Sequence, residues 1–475
     1  MKVILALTGL GVLAMLAELF RMRKIVYPLM LAGLAACIGI AVSYWWLDDG
    51  PWSRLFSSMI LFEGSSVVFS VIILTTAFLW FIMSGDFFKG ENSRTDHAVL
   101  VIFSLVGAII LTSFSNMTML FLGVEILSIP VYVLAGANKS SLASNEASMK
   151  YFLMGSFASA FLLFGIALVY GGTGSFDLRD IGLAINSAPG GPAAFVYGGI
   201  VMMIVGLLFK LSAVPFHFWT PDVYEGAPTQ VTAYMSTVVK TAAIVTILRL
   251  FLTIVFAGVD TFWIPILAVC TGLTFFIGNI TAAVQENVKR MLAYSSISHA
   301  GFLLLAVVAF SSFSAKAIIY YTAAYSIASI AAFTVLINVA SQSGKDGVDA
   351  FNGLGKKNPL LAMAMTIALL SLGGIPPTAG FFGKYYVLNA ALNSGHVWLT
   401  VIGILASLVG VYYYFRIIIA MYFKEAEGDH VIAANNVHQA LLFITAVITL
   451  VLGLLPDLIL NIGTIAASGP VAVTP

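Results

Sequence analysis

Two short stretches decide how this chain folds: GLLFKLSAVPFHFW at residues 206–219 and GGIPPTAGFFGKYYV at residues 373–387. Each sets a proline inside an apolar run, with a lysine within about two turns of it. A proline removes its own N–H and clashes with the carbonyl four residues back, here those of Leu211 and Leu372. Freed backbone at membrane depth is tolerated only inside protein or beside water. Each stretch therefore predicts a broken helix whose break marks a hydrated spot in the interior of a membrane protein.

The surrounding composition agrees. Of 475 residues, 60% are hydrophobic and 9% are charged, against roughly 25% charged in a soluble domain, and the mean hydropathy is +1.02. A bilayer core of about 30 Å needs roughly 20 apolar residues per helix. Such runs begin near Val3, Val26, Ser65, Ala98, Met117, Met149, Phe195, Thr229, Thr261, Ala293, Ala315, Pro359, Val397 and His438. The expected fold is an all-α polytopic membrane protein of about 14 transmembrane helices. The first run, Val3 to Phe20, is followed rather than preceded by the basic cluster Arg21, Arg23 and Lys24, which predicts an uncleaved helix rather than a signal peptide.

Loop charges set the orientation. With the N-terminus outside, the inward loops carry thirteen basic residues: Arg21, Arg23, Lys24, Lys89, Arg94, Lys139, Lys150, Lys289, Arg290, Lys345, Lys356, Lys357 and Lys424. The outward side carries four, Lys2, Arg54, Arg179 and Lys316. Both termini are expected to be periplasmic, in a bacterial inner membrane. Five basic residues remain within the membrane: Lys210, Lys240, Arg249, Lys384 and Arg416.

Helices four to eight (98–257) and nine to thirteen (258–423) form two blocks of similar length, after an N-terminal three-helix segment (1–97) and before a C-terminal segment with helix fourteen (424–475). Pro215 lies 117 residues after Ala98 and Pro376 lies 114 after Phe262. Five is an odd number, so the second block enters the membrane from the opposite side. Two inverted five-helix repeats, each with a broken helix, are the pattern of transporter folds.

Lys240, in TQVTAYMSTVVKTAAIVTILRL (229–250), is eleven residues into its helix, roughly 16 Å deep. A central lysine costs about 2.5–3.5 kcal/mol on an insertion scale, so the choice is between a structural ion pair and a protonatable relay, and the relay is favoured. Lys210 lies within about a turn of Pro215, and Lys384 follows the second break by about two. Glu125, in GVEILSIPVYVL (123–134), stands alone among acidic residues near the middle of a core helix, and Lys210 is its expected partner. Burial disfavours a lysine's charge and a nearby carboxylate favours it. Moving the carboxylate thus turns conformational change into proton release. Weaker candidates are His299 in YSSISHAGFLLLA, Lys150, which equally reads as a snorkelling anchor, and His217, close in sequence to Trp219, Asp222 and Glu225. Arg249 and Arg416 cannot lose a proton in practice and are assigned to structural pairing.

Other chemistry is excluded. Cys37 and Cys270 stand far from any histidine cluster, so no metal or iron–sulfur site is expected. No nucleotide-binding glycine motif is present. A net charge of +1 offers no field for nucleic acid.

GVEILSIPVYVL, NEASMKYFLMGSFASAFLLFGIALVYGGTGS (145–175) and the run from Gly206 to Ser236 resemble the subunit N family of bacterial NADH–quinone oxidoreductase, respiratory complex I. KRMLAYSSISHAGFLLLA (289–306) and GGIPPTAGFFGKYYV extend the resemblance over roughly residues 100–420. It implies an antiporter-like membrane subunit with one proton channel, a part of a translocase. It also implies that NADH, FMN, iron–sulfur clusters and quinone lie in partner subunits, with no cofactor here. Other membrane-arm subunits, including other antiporter-like ones, and lipids are the implied partners, and protons the only small substrate. The family's key residues fall on Glu125, Lys210, Lys240 and Lys384. Rival readings are a subunit of a multi-subunit cation–proton antiporter or membrane-bound hydrogenase, a stand-alone transporter, and a passive scaffold.

Overall fold

The chain is described by a computed structural model at residues 1–45, 59–62, 64–88, 95–188, 191–251, 257–425 and 433–467. Arg54, Lys89 and Arg94, which enter the loop-charge comparison, lie outside the described residues. Among the described residues there is no β-strand, and three isolated bridges join loop residues. Helices dominate because each closes its own backbone hydrogen bonds in a solvent that offers none.

Among the described residues, thirteen helices are long and apolar enough to cross a membrane. They are α1 (Lys2–Leu19), α2 (Arg23–Ser43), α3 (Gly64–Met83), α4 (Thr95–Ser113), α5 (Met117–Ala135), α6 (Leu142–Thr173) and α7a (Ala194–Leu211). Then come α8 (Thr229–Phe251), α9 (Asp260–Ala283), α10 (Val288–Val308), α11 (Ser314–Ser343), α13 (Val397–Phe423) and α14 (Asn436–Leu454). The remaining expected span is split into α12a (Pro359–Gly373) and α12b (Ala379–Asn393). The short helix α7b (Trp219–Gly226) follows α7a across the first break. The chain is therefore a multi-pass membrane protein of fourteen apolar segments among the described residues, as its apolar runs predict. A further helix, Asp457–Ala467, follows α14.

Both proline stretches interrupt their helices where expected. Residues 212–218 separate α7a from α7b, and 374–378 separate α12a from α12b. The first break begins at Ser212, with φ +65°, and the second at Gly374, with φ +81°. The two long helices α6 and α11 (32 and 30 residues) each end at a left-handed glycine, Gly174 and Gly344. Beyond them, Asp177 bridges Asn116 at the start of α5, and Gly347 bridges Asn287 at the start of α10. Asn116 and Asn287 cap those helices, their side chains accepting from Thr118 N and Arg290 N.

Helix α6 starts at Leu142 rather than near Met149. Ser141 caps it by accepting from Ser144 N, so the polar stretch SNEAS is helical and lifts α6 beyond the roughly 20 residues that hydrocarbon requires.

From Val231 to Phe251 every residue of α8 is buried within the protein, as are nearly all of α10. These two helices form the centre of the bundle. Around them pack α7b, α11 and α12b. By contrast α1, α2, α6, α9, α13 and α14 leave most of their length on the outside, where Phe157, Phe164, Phe276, Leu408 and Phe443 offer large apolar side chains.

Candidate functional site

Lys210 lies in the last turn of α7a, just before the break. A helix C-terminus carries partial negative charge, which favours an ammonium there. The Lys210 amine donates to Ser128 Oγ (2.8 Å) and Tyr132 hydroxyl (2.7 Å), both on α5, and sits 5.1 Å from the centre of the Tyr132 ring.

Glu125 is on the same helix, but no ion pair joins it to Lys210 among the described residues, against the expectation that they pair. The reason is distance along α5: Ser128 and Tyr132 lie three and seven residues beyond Glu125, so the amine is aimed roughly 5–10 Å further along the helix axis. Glu125 is half-buried, and its Oε1 is buried with no hydrogen-bond partner among the described residues.

Lys240 follows a five-residue π-helical segment, Met235–Val239, inside α8. Such π segments insert an extra residue into a helical turn and often occur at functional sites. The Lys240 amine, 2% exposed, donates to both the carbonyl and the hydroxyl of Ser296 on α10. Tyr224 of α7b faces Ser296 and Ser212, and Tyr325 of α11 faces Ser296 and Ser236. Lys240 thus occupies the middle of a polar seam through the buried helices.

The seam continues one turn along α10. His299 Nδ1 meets the Tyr321 hydroxyl at 2.6 Å and Nε2 meets the Tyr414 hydroxyl at 3.2 Å, while its ring lies 4.8 Å from that of Tyr325. A narrow cavity of about 10 Å³, lined by His299, Tyr321, Tyr325, Ser371 and Lys384, connects it to the second break. There Lys384 donates to the Gly373 carbonyl at 2.9 Å, the last residue of α12a, and its amine stands 5.0 Å from the Phe302 ring centre. Each break lysine is therefore associated with the C-terminal end of a half-helix, Lys210 by position and Lys384 by hydrogen bond.

The weaker candidates separate from this seam. Lys150 is half-exposed and pairs with Glu146 (2.6 Å) and Asp222 (2.9 Å), so it is a member of an ion cluster rather than a lone anchor. Arg290 completes that cluster, reaching Asp222 at 3.1 Å and Glu225 at 2.5 Å. Burial works to raise the Asp222 carboxyl, which lies outside the candidate spans. Hydrogen bonds from Lys150 and Arg290 outweigh that and hold it below the usual carboxylate range. His217 lies inside the first break, 6% exposed, beside Phe218, and hydrogen-bonds to neither Asp222 nor Glu225. Arg249 donates to the Phe114 and Thr112 carbonyls and to Ser66 Oγ. Arg416 donates to the Ala283 and Gln285 carbonyls at the end of α9. Both arginines thus hold helix ends.

Sequence reading missed the groups between the lysines: Ser128, Tyr132, Tyr224, Ser296, Tyr321 and Tyr325. A signal was present in YSSISHAG and in the tyrosines of α11, because a hydroxyl buried in an apolar helix requires a partner. It also missed Lys289, placed in a loop by its position but 6% exposed and bonded to the Glu225 and Ala227 carbonyls at the end of α7b.

Residues 114–410, more than half the chain, match the family described as NADH:quinone oxidoreductase/Mrp antiporter, TM. NADH-quinone oxidoreductase subunit N of Cytophaga hutchinsonii is 43% identical over 465 residues, which cover 98% of this chain and 99% of the relative. The chain belongs to the subunit N family. Its solved neighbours share the fold. A chain of respiratory complex I from Thermus thermophilus with bound aureothin superposes with a TM-score of 0.81 at 32% identity, covering 97% of this subunit N chain and 98% of its neighbour. A chain of the membrane-bound sulfane sulfur reductase, an archaeal respiratory membrane complex, gives 0.86 at 27% identity, with 98% and 97% covered. Shape is common to both kinds of complex, and identity is what assigns the chain to subunit N.

Proposed function

We propose that this chain translocates protons as a membrane-arm subunit of an NADH:quinone oxidoreductase. NADH, FMN, iron–sulfur clusters and quinone belong to partner subunits, and other antiporter-like subunits are its neighbours in a bacterial inner membrane. The observation that carries the reading is the row Lys210–Lys240–Lys384. These are three buried amines on separate helices, each bonded to neutral oxygens and, among the described residues, not to a carboxylate. An amine held by hydroxyls and carbonyls can give up its proton without stranding a partner ion. Ser296, Tyr325 and His299 supply hydroxyl and imidazole groups between the amines, and proton relays in membranes are built from ionisable residues facing the bundle interior.

Glu125 supplies the switch. A carboxylate drawn towards Ser128 and Tyr132 would favour the charged form of Lys210, and one withdrawn would release its proton inward. Lys150 and His217 act at the approach to the first break. The blocks 98–257 and 258–423 are read as an inverted pair with both termini periplasmic. The five-helix offset and the matched left-handed residues and bridges around α6 and α11 support that reading.

Alanine at Glu125, Lys210, Lys240 or Lys384 is expected to abolish NADH-driven proton uptake in inside-out vesicles while the complex still assembles; normal uptake would leave the chain a scaffold. Purification from native membranes should bring flavin and iron–sulfur subunits along, whereas antiporter subunits alone would favour the rival assembly.

A further inference from the structure

The hydrogen-bonded side chains do not stop at His299. Tyr414 of α13, which meets His299 Nε2 at 3.2 Å, is also bonded to Ser295 of α10. The neighbouring Tyr413 faces Ser295 and Tyr414 and donates to Asn279 Oδ1 on α9 at 3.4 Å. Asn279 Nδ2 in turn donates to Ser298 Oγ at 2.7 Å. All of these groups are buried. Gly410 adjoins this junction: a Cβ there would make ordinary contacts with the Tyr413 hydroxyl at 3.6 Å and Asn279 Oδ1 at 3.8 Å.

About one turn further along both helices the surface opens. A groove of about 470 Å³ is lined by Glu286, Asp349, Arg416 and Lys424, among others. Arg416 follows Tyr413 by three residues, and it donates to the carbonyl of Ala283, four residues after Asn279. The inner hydroxyls and the outer groove therefore follow one another along the α9–α13 seam. Linking Lys210 to Lys384 requires none of Tyr413, Tyr414 or Asn279.

We propose that Tyr413, Ser295 and Tyr414 form a side branch that carries protons between this groove and His299, bypassing Lys210 and Lys240. Asn279 is a positioning residue that aims the Tyr413 hydroxyl. At rest the Tyr413 hydroxyl proton is held by Asn279 Oδ1; when a proton arrives from water at the Tyr413 oxygen, that hydroxyl proton swings from Asn279 to Ser295. Ser295 passes its proton to Tyr414, and Tyr414 passes its own to His299 Nε2. Each O–H bond broken is replaced by one formed, the imidazole gains one proton, and no electron moves. The branch rests on the relay reading above, because it needs His299 and Lys384 to be stations on that relay.

The test is NADH-driven proton uptake by inside-out vesicles carrying the assembled complex, at matched complex content. Tyr413→Phe, Tyr414→Phe and Asn279→Leu should each lower the initial rate by about tenfold or more, the scale of losing one positioned proton-transfer group. Asn279→Asp, which keeps an acceptor for Tyr413, should restore most of it. A merely packing role predicts no such rescue, and its absence in an assembled complex would overturn the branch. Wild-type rates in both phenylalanine variants, beside a Lys384→Ala variant that has lost pumping, would overturn the branch and leave the relay standing. Wild-type rates in Lys384→Ala as well would remove the relay reading and the branch with it.

Discussion

At the scale of single residues, Lys240 carries most of the argument, because among the described residues only Ser296 is bonded to its amine. Its role requires a proton that can leave. Arginine keeps the charge but does not deprotonate in proteins, and methionine keeps much of the volume without any charge. Both Lys240→Arg and Lys240→Met should therefore lower proton uptake, by about tenfold or more, with arginine no better than methionine. An active arginine variant would mean that position 240 needs only a fixed charge.

Asp222 makes a different prediction. Its carboxyl is held below the usual range in the folded chain, so its contribution to stability is complete above the unfolded value of about 3.9. That contribution is lost as pH falls through the lower folded value. Asp222→Asn should lower the melting temperature slightly at pH 7, within the ~0.2–1 kcal/mol of partly exposed ion pairs. The gap from wild type should close below about pH 4. A gap that widened in acid would contradict the assignment. Lysines stranded in apolar runs were legible in the sequence because hydrocarbon makes them costly. The partners of those lysines were not, since a serine or tyrosine in a helix looks the same whether it meets an amine or the carbonyl four residues back.

At the scale of elements, the two breaks were readable from Pro215 and Pro376, since the chemistry of a missing N–H is local. The first turns of α6 were not, because SNEAS is polar and only the Ser141 cap and the packing of α6 against α7b make it helical. The π segment of α8 has no residue signature either, as MSTVV reads like any apolar turn. At the second break, Gly374 has φ +81°, and a Cβ there would press on the Lys384 stem. Gly374→Ala should destabilise the chain by about 1–3 kcal/mol and displace the Lys384 amine, seen as a lower melting temperature together with reduced proton uptake.

At the scale of the whole molecule, fourteen apolar segments, their order and the centrality of α8 were all latent in hydropathy and in the position of Lys240. What no single sequence yields is the direction of each side chain: Glu125 and Lys210 lie on adjacent helices, yet the amine reaches past the carboxylate to Ser128 and Tyr132. Three amines separated by hydroxyls and an imidazole make a line rather than a pair, and a line fails wherever it is cut. The most direct measurement is the number of protons taken up per NADH oxidised by sealed vesicles whose complex carries Lys240→Met, with subunit content verified. A lower proton yield, or oxidation that stalls together with uptake, is the predicted result. An unchanged yield at an unchanged rate would contradict the claim that protons pass through this chain.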